Sequence, residues 1–157
     1  MMNAGFTLTL LGLLAAALLW IAVVDVRTHT ISNRINLAIA LIAPVYWLSA
    51  GVPLWPDAPL RVVAAIVVFL LFAVAFYINA MGGGDVKLAG ALALWFPPMA
   101  TVKLVVITSL AGGVLTLIVA GLHFARKKEG RPEVPYGVAI AFGGLWLLAQ
   151  RFLNHFA

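Results

Sequence analysis

Long apolar runs, separated by short charged segments, account for almost the whole chain. The runs without Asp, Glu, Lys or Arg cover residues 1–24, 35–56, 62–84, 88–102, 104–125 and 134–150. A helix needs roughly 20 mostly apolar residues to cross about 30 Å of hydrocarbon. The runs lack the alternation of barrel strands, and an isolated strand cannot satisfy its backbone in lipid. The pattern therefore predicts an all-α, polytopic integral membrane protein with six transmembrane helices in a single domain, residues 1–157.

The composition supports this interpretation and excludes a water-soluble domain. Of the 157 residues, 64% are hydrophobic and 10% are charged, whereas a soluble domain is about half apolar and a quarter charged. The absence of cysteine excludes disulfides and thiolate metal sites. His123 and His155 are too scattered for a metal site, which needs three or four convergent ligands, and His29 is interpreted as an interfacial loop residue. We therefore expect no metal and no other cofactor.

The charged residues are distributed unequally between the two sides of the membrane. Six spans place both termini on one side, and seven of the ten basic residues then share the other side. The positive-inside rule assigns that side to the cytoplasm, so both termini are predicted to lie outside. The net charge of +5 then reflects orientation and contact with membrane lipid, and we expect no nucleic-acid partner. The seven are Arg27, Arg34, Lys87, Arg126, Lys127, Lys128 and Arg131; the other three are Arg61, Lys103 and Arg151.

Prolines and glycines indicate where helices end and where they pack. Prolines in "GVPLWPDAP" (51–59) and "FPPMA" (96–100) are predicted to end helices two and four. Helix four, from Asp85 to Ala100, would have about 16 residues and a length of roughly 24 Å, which is too short for a full crossing. Either the bilayer thins there, or the helix starts below the membrane surface. Glycine pairs at 112–113 and 143–144 predict close helix packing.

Two aspartates mark the cytoplasmic ends of predicted spans. Asp25 closes the first span in "WIAVVDVRTHTISNRI", and Asp85 opens the fourth in "MGGGDVKLAG". An ionisable residue at the edge of the hydrocarbon is costly, which makes it a candidate functional residue. Either aspartate alone could simply end or cap a helix at the headgroups. Two carboxylates held within a few ångströms would share a proton, so that one activates water and the other protonates the departing group.

Gly82, Gly83 and Gly84 directly precede Asp85. Glycine can adopt backbone angles closed to other residues, and it carries no side chain that would keep a substrate backbone away. Asp85 falls in the first turn of a helix, where the dipole and the free N–H groups favour negative charge. The alternative is a plain loop whose small residues allow close helix packing.

This glycine segment resembles a motif of the bacterial type IV prepilin peptidases, a family of aspartyl membrane proteases. "MGGGDVKLAGALALW" is similar to the family's Gly-x-Gly-Asp motif, with Gly82, Gly84 and Asp85 at its fixed positions. "VPYGVAIAFGGL" (134–145) resembles the Pro-Tyr/Phe-Gly stretch that opens the family's last span.

The segment "DVRTHTISNRIN" resembles the one that follows the family's first span. Asp25 falls on the first catalytic aspartate and Asn33 on the family's Asn, while Ser32 stands where Pro is usual. The resemblance implies an aspartic-type endopeptidase that cleaves prepilin leader peptides at the cytoplasmic face of the bacterial inner membrane. It implies Asp25 and Asp85 as the catalytic pair.

The chain resembles the small branch of the family that serves Tad/Flp-type pili. The substrate implied is a prepilin with a short basic leader followed by a hydrophobic helix. Larger relatives carry an N-terminal segment with cysteines, which is linked to N-methylation of the cleaved pilin. This chain starts at the first predicted span and has no cysteine, so we do not expect methyltransferase activity.

Five further residues are candidates for a role at the site. Lys87 could tune Asp85, or it could anchor its helix at the headgroups. Asn33 could bond the site loop, or it could cap helix two. Pro135, Tyr136 and Gly137 could shape a substrate cavity, or they could simply begin the last helix with Tyr136 in the aromatic belt.

Two other functions remain open from the residues alone. The chain could be a small transporter or channel subunit with Asp25 and Asp85 as proton or cation sites, because such proteins contain buried acids and broken spans. It could also be a non-catalytic scaffold of a secretion machine, in which case substitution of the carboxylates would leave function intact.

Overall fold

The computed structural model describes residues 4–127, 130 and 132–156, and every regular element in this part of the chain is a helix. The helices are α1 (Ala4–Thr28), α2 (Asn33–Ser49), α3 (Asp57–Tyr77), α4 (Gly83–Ala93), α5 (Pro98–Ala125) and α6 (Tyr136–Phe156). The all-α prediction is confirmed. Lys128, Glu129, Arg131 and the side chain of His155 lie outside the described residues.

Four of the helices are long and apolar enough to cross a membrane. These are α1, α3, α5 and residues Tyr136–Leu153 of α6. α2 has 17 residues and α4 only 11, which makes α4 about 16 Å long. The prediction of six helices is thus confirmed for the described residues, whereas four of them qualify as candidate spans.

The predicted fourth span, 88–102, does not form one helix. α4 ends at Ala93, and a turn follows in which the Trp95 and Phe96 amides donate to the Leu92 and Ala93 carbonyls. Pro97 is extended, and Pro98 is the first residue of α5. Proline lacks an N–H donor, which is harmless in the first turn of a helix. The two prolines therefore separate α4 from α5. They also let α5 begin at Pro98, before the predicted run 104–125.

α4 lies inside the bundle and packs against α2, α3 and α6. The Trp47 indole donates to the Leu94 carbonyl at 2.8 Å, which places the last turn of α4 beside the end of α2. The start of α1 lies there too, because the Thr7 hydroxyl donates to the Ser49 carbonyl at 3.1 Å. We call the end of the bundle that holds Asp25 and Asp85 the carboxylate end. The end that holds Thr7, Trp47 and Ser49 is the opposite end.

Glycines let α6 pack closely against its neighbours. A Cβ on Gly143 would lie 2.8 Å from the Thr108 hydroxyl oxygen, and one on Gly144 would lie 2.8 Å from methyl carbons of Leu18 and Leu92. Close packing is confirmed at both positions and also at Gly112, which lies against the Tyr136 ring, but Gly113 faces open space.

Candidate active site

Asp25 is buried near the C-terminal end of α1, with a relative exposure of 2%. Its Oδ2 accepts a hydrogen bond from the Val138 amide at 3.2 Å. Val138 lies in the first turn of α6, where amides have no partner within the helix. The carboxylate therefore projects from the end of α1 and is bound by the first turn of α6.

Asp85 is also buried, in the first turn of α4, with a relative exposure of 7%. Its Oδ2 accepts a hydrogen bond from the amide of Gly82, the N-cap residue, at 3.1 Å. A carboxylate in the first turn satisfies a free amide and interacts favourably with the helix dipole. Local helix-start chemistry therefore fixes the position of this side chain.

The structure brings the two carboxylates together across the first turn of α6. The backbone amide of Gly137 faces both Asp25 and Asp85, and the two carboxylates interact electrostatically. Both groups lie at one end of the bundle. Two neighbouring carboxylates are the arrangement in which one group can act as a base and the other as an acid.

Gly137 is the residue that makes this convergence possible. A Cβ at this position would lie 2.8 Å from Asp25 Oδ2 and 2.7 Å from the Ile31 Cδ1 atom. Neither distance is compatible with van der Waals contact. The absence of a side chain at Gly137 therefore lets the start of α6 approach Asp25.

The glycine triplet leaves space for neighbouring atoms, and its residues do not adopt unusual backbone angles. Gly82 is extended with φ −75°, and Gly83 and Gly84 already belong to α4. The expectation of special backbone angles is wrong, because the chain enters α4 in a conformation open to any residue. A Cβ would lie 2.9 Å from Asp85 Oδ2 at Gly82 and 3.1 Å from the Ile31 Cβ atom at Gly84, but 3.4 Å from Phe76 at Gly83. The tight positions are thus Gly82 and Gly84.

Asn33 and Lys87 form a hydrogen bond with each other, and among the described residues neither contacts the carboxylate of Asp25 or Asp85 through a hydrogen bond or an ion pair. The Lys87 ammonium donates to Asn33 Oδ1 at 2.9 Å, a bond that joins the starts of α4 and α2. The N-cap of α2 is Ser32, whose hydroxyl accepts from the Arg34 amide. The capping role suggested for Asn33 is therefore filled by the preceding residue, which is the one that replaces the usual Pro.

Pro135 and Tyr136 position the start of α6. The Pro135 carbonyl shares the Val138 amide with Asp25. The Tyr136 hydroxyl lies 2.9 Å from the Thr116 hydroxyl, and its ring packs on Gly112 of α5. Both residues therefore support the turn that carries Gly137.

Three contributors to the site were not predicted from the sequence. Asn36 donates from Nδ2 to the Gly84 carbonyl at 2.9 Å and is buried. Ile31 packs on both Gly84 and Gly137, and Val138 acts through its backbone amide. Asn36 could have been noticed as a lone polar side chain in an apolar run, whereas a backbone amide leaves no signal in a sequence.

The surroundings of the pair contain one loop contact and an apolar groove. His29 Nδ1 lies 4.0 Å from Glu133 Oε2, which ties the end of α1 to the segment before α6. The groove, of about 530 Å³, follows α4 between α2 and α3 and starts at Asn33 and Lys87. Within the described ranges, no group of three or more His, Cys, Asp or Glu could hold a metal ion.

Comparison with known proteins assigns the family. The model of the type IV leader peptidase family matches residues 12–117, which is more than half of the chain and includes both Asp25 and Asp85. The chain belongs to the type IV leader peptidase family. The recognition made from the Gly-x-Gly-Asp motif is thereby confirmed, although the matched range ends before Gly137.

Curated relatives agree with this family. The chain is 29% identical to a prepilin leader peptidase/N-methyltransferase of Pectobacterium carotovorum subsp. carotovorum over 94% of its own length and 60% of the relative's. It is 31% identical to a protein of the same name from Burkholderia pseudomallei (strain 1026b), over 83% of its own length and 43% of the relative's. The chain thus spans about half the length of these relatives. No solved structure matches it.

Proposed function

We propose that this protein is a membrane aspartyl endopeptidase that cleaves the leader peptide from type IV prepilins. The observation that carries the proposal is the pair of buried carboxylates, Asp25 and Asp85, facing one backbone amide at Gly137. Membership of the type IV leader peptidase family and the names of the curated relatives support the same substrate class.

In the proposed reaction, the pair shares one proton and acts on a peptide carbonyl that lies between the two carboxylates. The ionised carboxylate takes a proton from water, and the water oxygen attacks the carbonyl carbon. The protonated carboxyl group donates its proton to the carbonyl oxygen. When the C–N bond of the resulting gem-diol breaks, the proton taken from water passes to the leaving nitrogen, and one hydroxyl proton of the gem-diol returns to the second carboxylate. The products are a carboxylic acid and an amine, and the pair again holds its original single proton.

The groove along α4 is the proposed route for the apolar part of the substrate. It is lined by apolar side chains of α2 and α3, including Leu37, Val62 and Phe69, and its polar end lies at Asn33 and Lys87, beside the first turn of α4. A hydrophobic helix in this groove would bring the residues that leave its end close to Asp85. We assign the substrate to the Tad/Flp type because the chain resembles that branch of the family.

The proposed orientation places the carboxylate end in the cytoplasm. The positive-inside rule supports this orientation, since Arg27, Arg34 and Lys87 lie at the carboxylate end and the termini then lie outside. The location proposed is the bacterial inner membrane, where cleavage occurs at the cytoplasmic boundary.

Co-expression with a Tad/Flp-type prepilin tests the assignment. Asp25→Asn and Asp85→Asn, each alone, should abolish leader removal, because an amide can neither take a proton from water nor share one with its partner. Asp57→Asn is the matched control, since Asp57 is exposed at the opposite end of the bundle. The pilin's electrophoretic mobility reports cleavage, and normal processing by both variants of the pair would contradict the proposal.

A further inference from the structure

The opposite end of the bundle contains a cavity larger than the groove beside the carboxylates. It has a volume of about 810 Å³ and lies between the start of α1, the end of α2, the start of α5 and the last turns of α6. Leu8, Leu11, Phe96 and Leu147 give it apolar walls, and the hydroxyl groups of Thr7 and Ser49 add polar atoms. We call it the basic cavity, because of the charges described next.

Basic side chains surround the basic cavity, and no acidic side chain of the described residues lines it. Lys103 and Arg151 line it, and no Asp or Glu does. Arg61 is buried close by and donates from Nη1 to the carbonyl of Trp95, the neighbour of Phe96. Within the described part of the chain, none of these three cations forms an ion pair, and Asp57 is the one acid at this end. Lys103 and Arg151 therefore have no counter-ion among the residues that line the cavity.

Two buried polar atoms beside the cavity also lack hydrogen-bond partners. They are the Tyr46 hydroxyl and Arg61 Nε, in side chains with relative exposures of 0% and 8%. The Arg151 guanidinium lies 5.4 Å from the centre of the Tyr46 ring, so these groups adjoin the cavity wall. A buried polar group is normally paired, and an unpaired one needs an explanation. Arg61 Nε is thus a buried donor without an acceptor behind the cavity wall, and the Tyr46 hydroxyl, which can donate or accept, lies beside the Arg151 guanidinium.

We propose that the basic cavity binds the phosphate group of an anionic phospholipid, with one acyl chain against the apolar walls. Arg151 and Lys103 would contact the phosphate. The first turn of α5, in which Pro97 and Pro98 have no N–H, adds the backbone amide of Ala100 and the positive end of a helix dipole. Arg61 would act behind them through its charge.

A lipid fits the cavity better than a free phosphate ion for two reasons. The space is far larger than one phosphate group, and most of its lining is apolar. It also lies at the ends of candidate membrane spans, where headgroups are found, and its two lining cations can form charge-assisted hydrogen bonds with an anionic headgroup. Simple anchoring of Lys and Arg at headgroups would explain the charges but would need no cavity.

Lipid binding to the purified full chain tests this inference, which does not depend on peptidase activity. The probes are dioleoylphosphatidylglycerol, neutral dioleoylphosphatidylcholine and soluble glycerol 3-phosphate, with bound molecules counted by native mass spectrometry and the midpoint of thermal unfolding measured. We expect dioleoylphosphatidylglycerol alone to remain bound and to raise the midpoint. The double variant Lys103→Gln/Arg151→Gln should bind it about tenfold more weakly, since it loses two charged contacts.

The control variant is Arg27→Gln/Arg34→Gln, which removes the same charge from exposed positions at the carboxylate end. An equal loss in both double variants would mean non-specific attraction and would overturn the proposal. Equal binding of glycerol 3-phosphate would overturn the lipid assignment in favour of a free phosphate. Ala100→Trp fills the cavity and keeps every cation; if it folds by circular dichroism and still binds the lipid normally, the cavity is not the site.

Discussion

At the scale of single residues, Gly137 shows how the site depends on an absent side chain. The residue lies in the first turn of α6, with Asp25 Oδ2 and Ile31 Cδ1 both closer than 3 Å to the position of a Cβ. Its amide faces both carboxylates. A larger residue would have to displace either the carboxylate or the turn that binds it.

The variant Gly137→Ala should therefore lose most leader processing while the protein still folds. The added methyl group moves Asp25 away from the Val138 and Gly137 amides, and a displacement of about 1 Å at a reacting group can cost on the order of 100-fold in rate. The measurement is the cleavage rate of a prepilin by purified enzyme. Gly113→Ala is the control because a Cβ there meets nothing within 4 Å; equal rates for the two variants would contradict the role of Gly137.

The sequence identifies the side chains of the pair but not the groups that hold them. Asp25 and Asp85 are conspicuous because each is a charge at the edge of an apolar run. Their hydrogen-bond donors are the amides of Val138 and Gly82, and every non-proline residue carries such a donor. The fold alone determines which backbone amides lie next to the two carboxylates. These donors could therefore not be predicted from the sequence.

At the scale of elements, the apolar runs predict the presence of helices better than their ends. The six runs correspond to six helices, because a long apolar stretch has few other ways to satisfy its backbone in lipid. The apolar pattern predicts a helix that continues to Ala100, because Leu94, Trp95 and Phe96 are apolar. The structure ends α4 at Ala93. The bonds from Trp47 to Leu94 and from Arg61 to Trp95 hold this turn, and both are long-range contacts that a local pattern does not contain.

The groove follows α4 between α2 and α3, and this geometry leads to a test of the proposed substrate route. Ala40→Trp projects into the groove from α2 and should raise the KM for a prepilin several-fold, because a bulky ring excludes an apolar helix. The value of kcat should change less, since Ala40 does not line the carboxylate pair. Steady-state cleavage kinetics in detergent measure both constants.

Ala38→Trp is the matched control for this test. Ala38 is also on α2 and exposed, but it does not line the groove. If both variants raise KM equally, any bulky residue on α2 has this effect, and the increase does not report on the groove. If neither does, the substrate helix does not use the groove.

At the scale of the whole molecule, the two ends of the bundle carry different chemistry. One end holds the buried carboxylates and the start of the groove, and the other holds the basic cavity with Lys103 and Arg151. The lengths of α1 and α6, 25 and 21 residues, separate these ends by roughly the thickness of a bilayer. A leader cleaved at the cytoplasmic boundary requires the carboxylate end to face the cytoplasm.

Cysteine labelling can measure this orientation, because the chain contains no cysteine of its own. Thr30→Cys lies in the exposed segment after α1 at the carboxylate end, and Leu54→Cys lies in the exposed segment before α3 at the opposite end. In spheroplasts, a membrane-impermeant maleimide should label Leu54→Cys directly and Thr30→Cys only after the membrane is permeabilised. The reverse pattern would place most basic residues outside, against the positive-inside rule. It would also put the carboxylates on the wrong side for a cytoplasmic leader, and the proposed cleavage at the cytoplasmic face would then fail even if the family assignment stands.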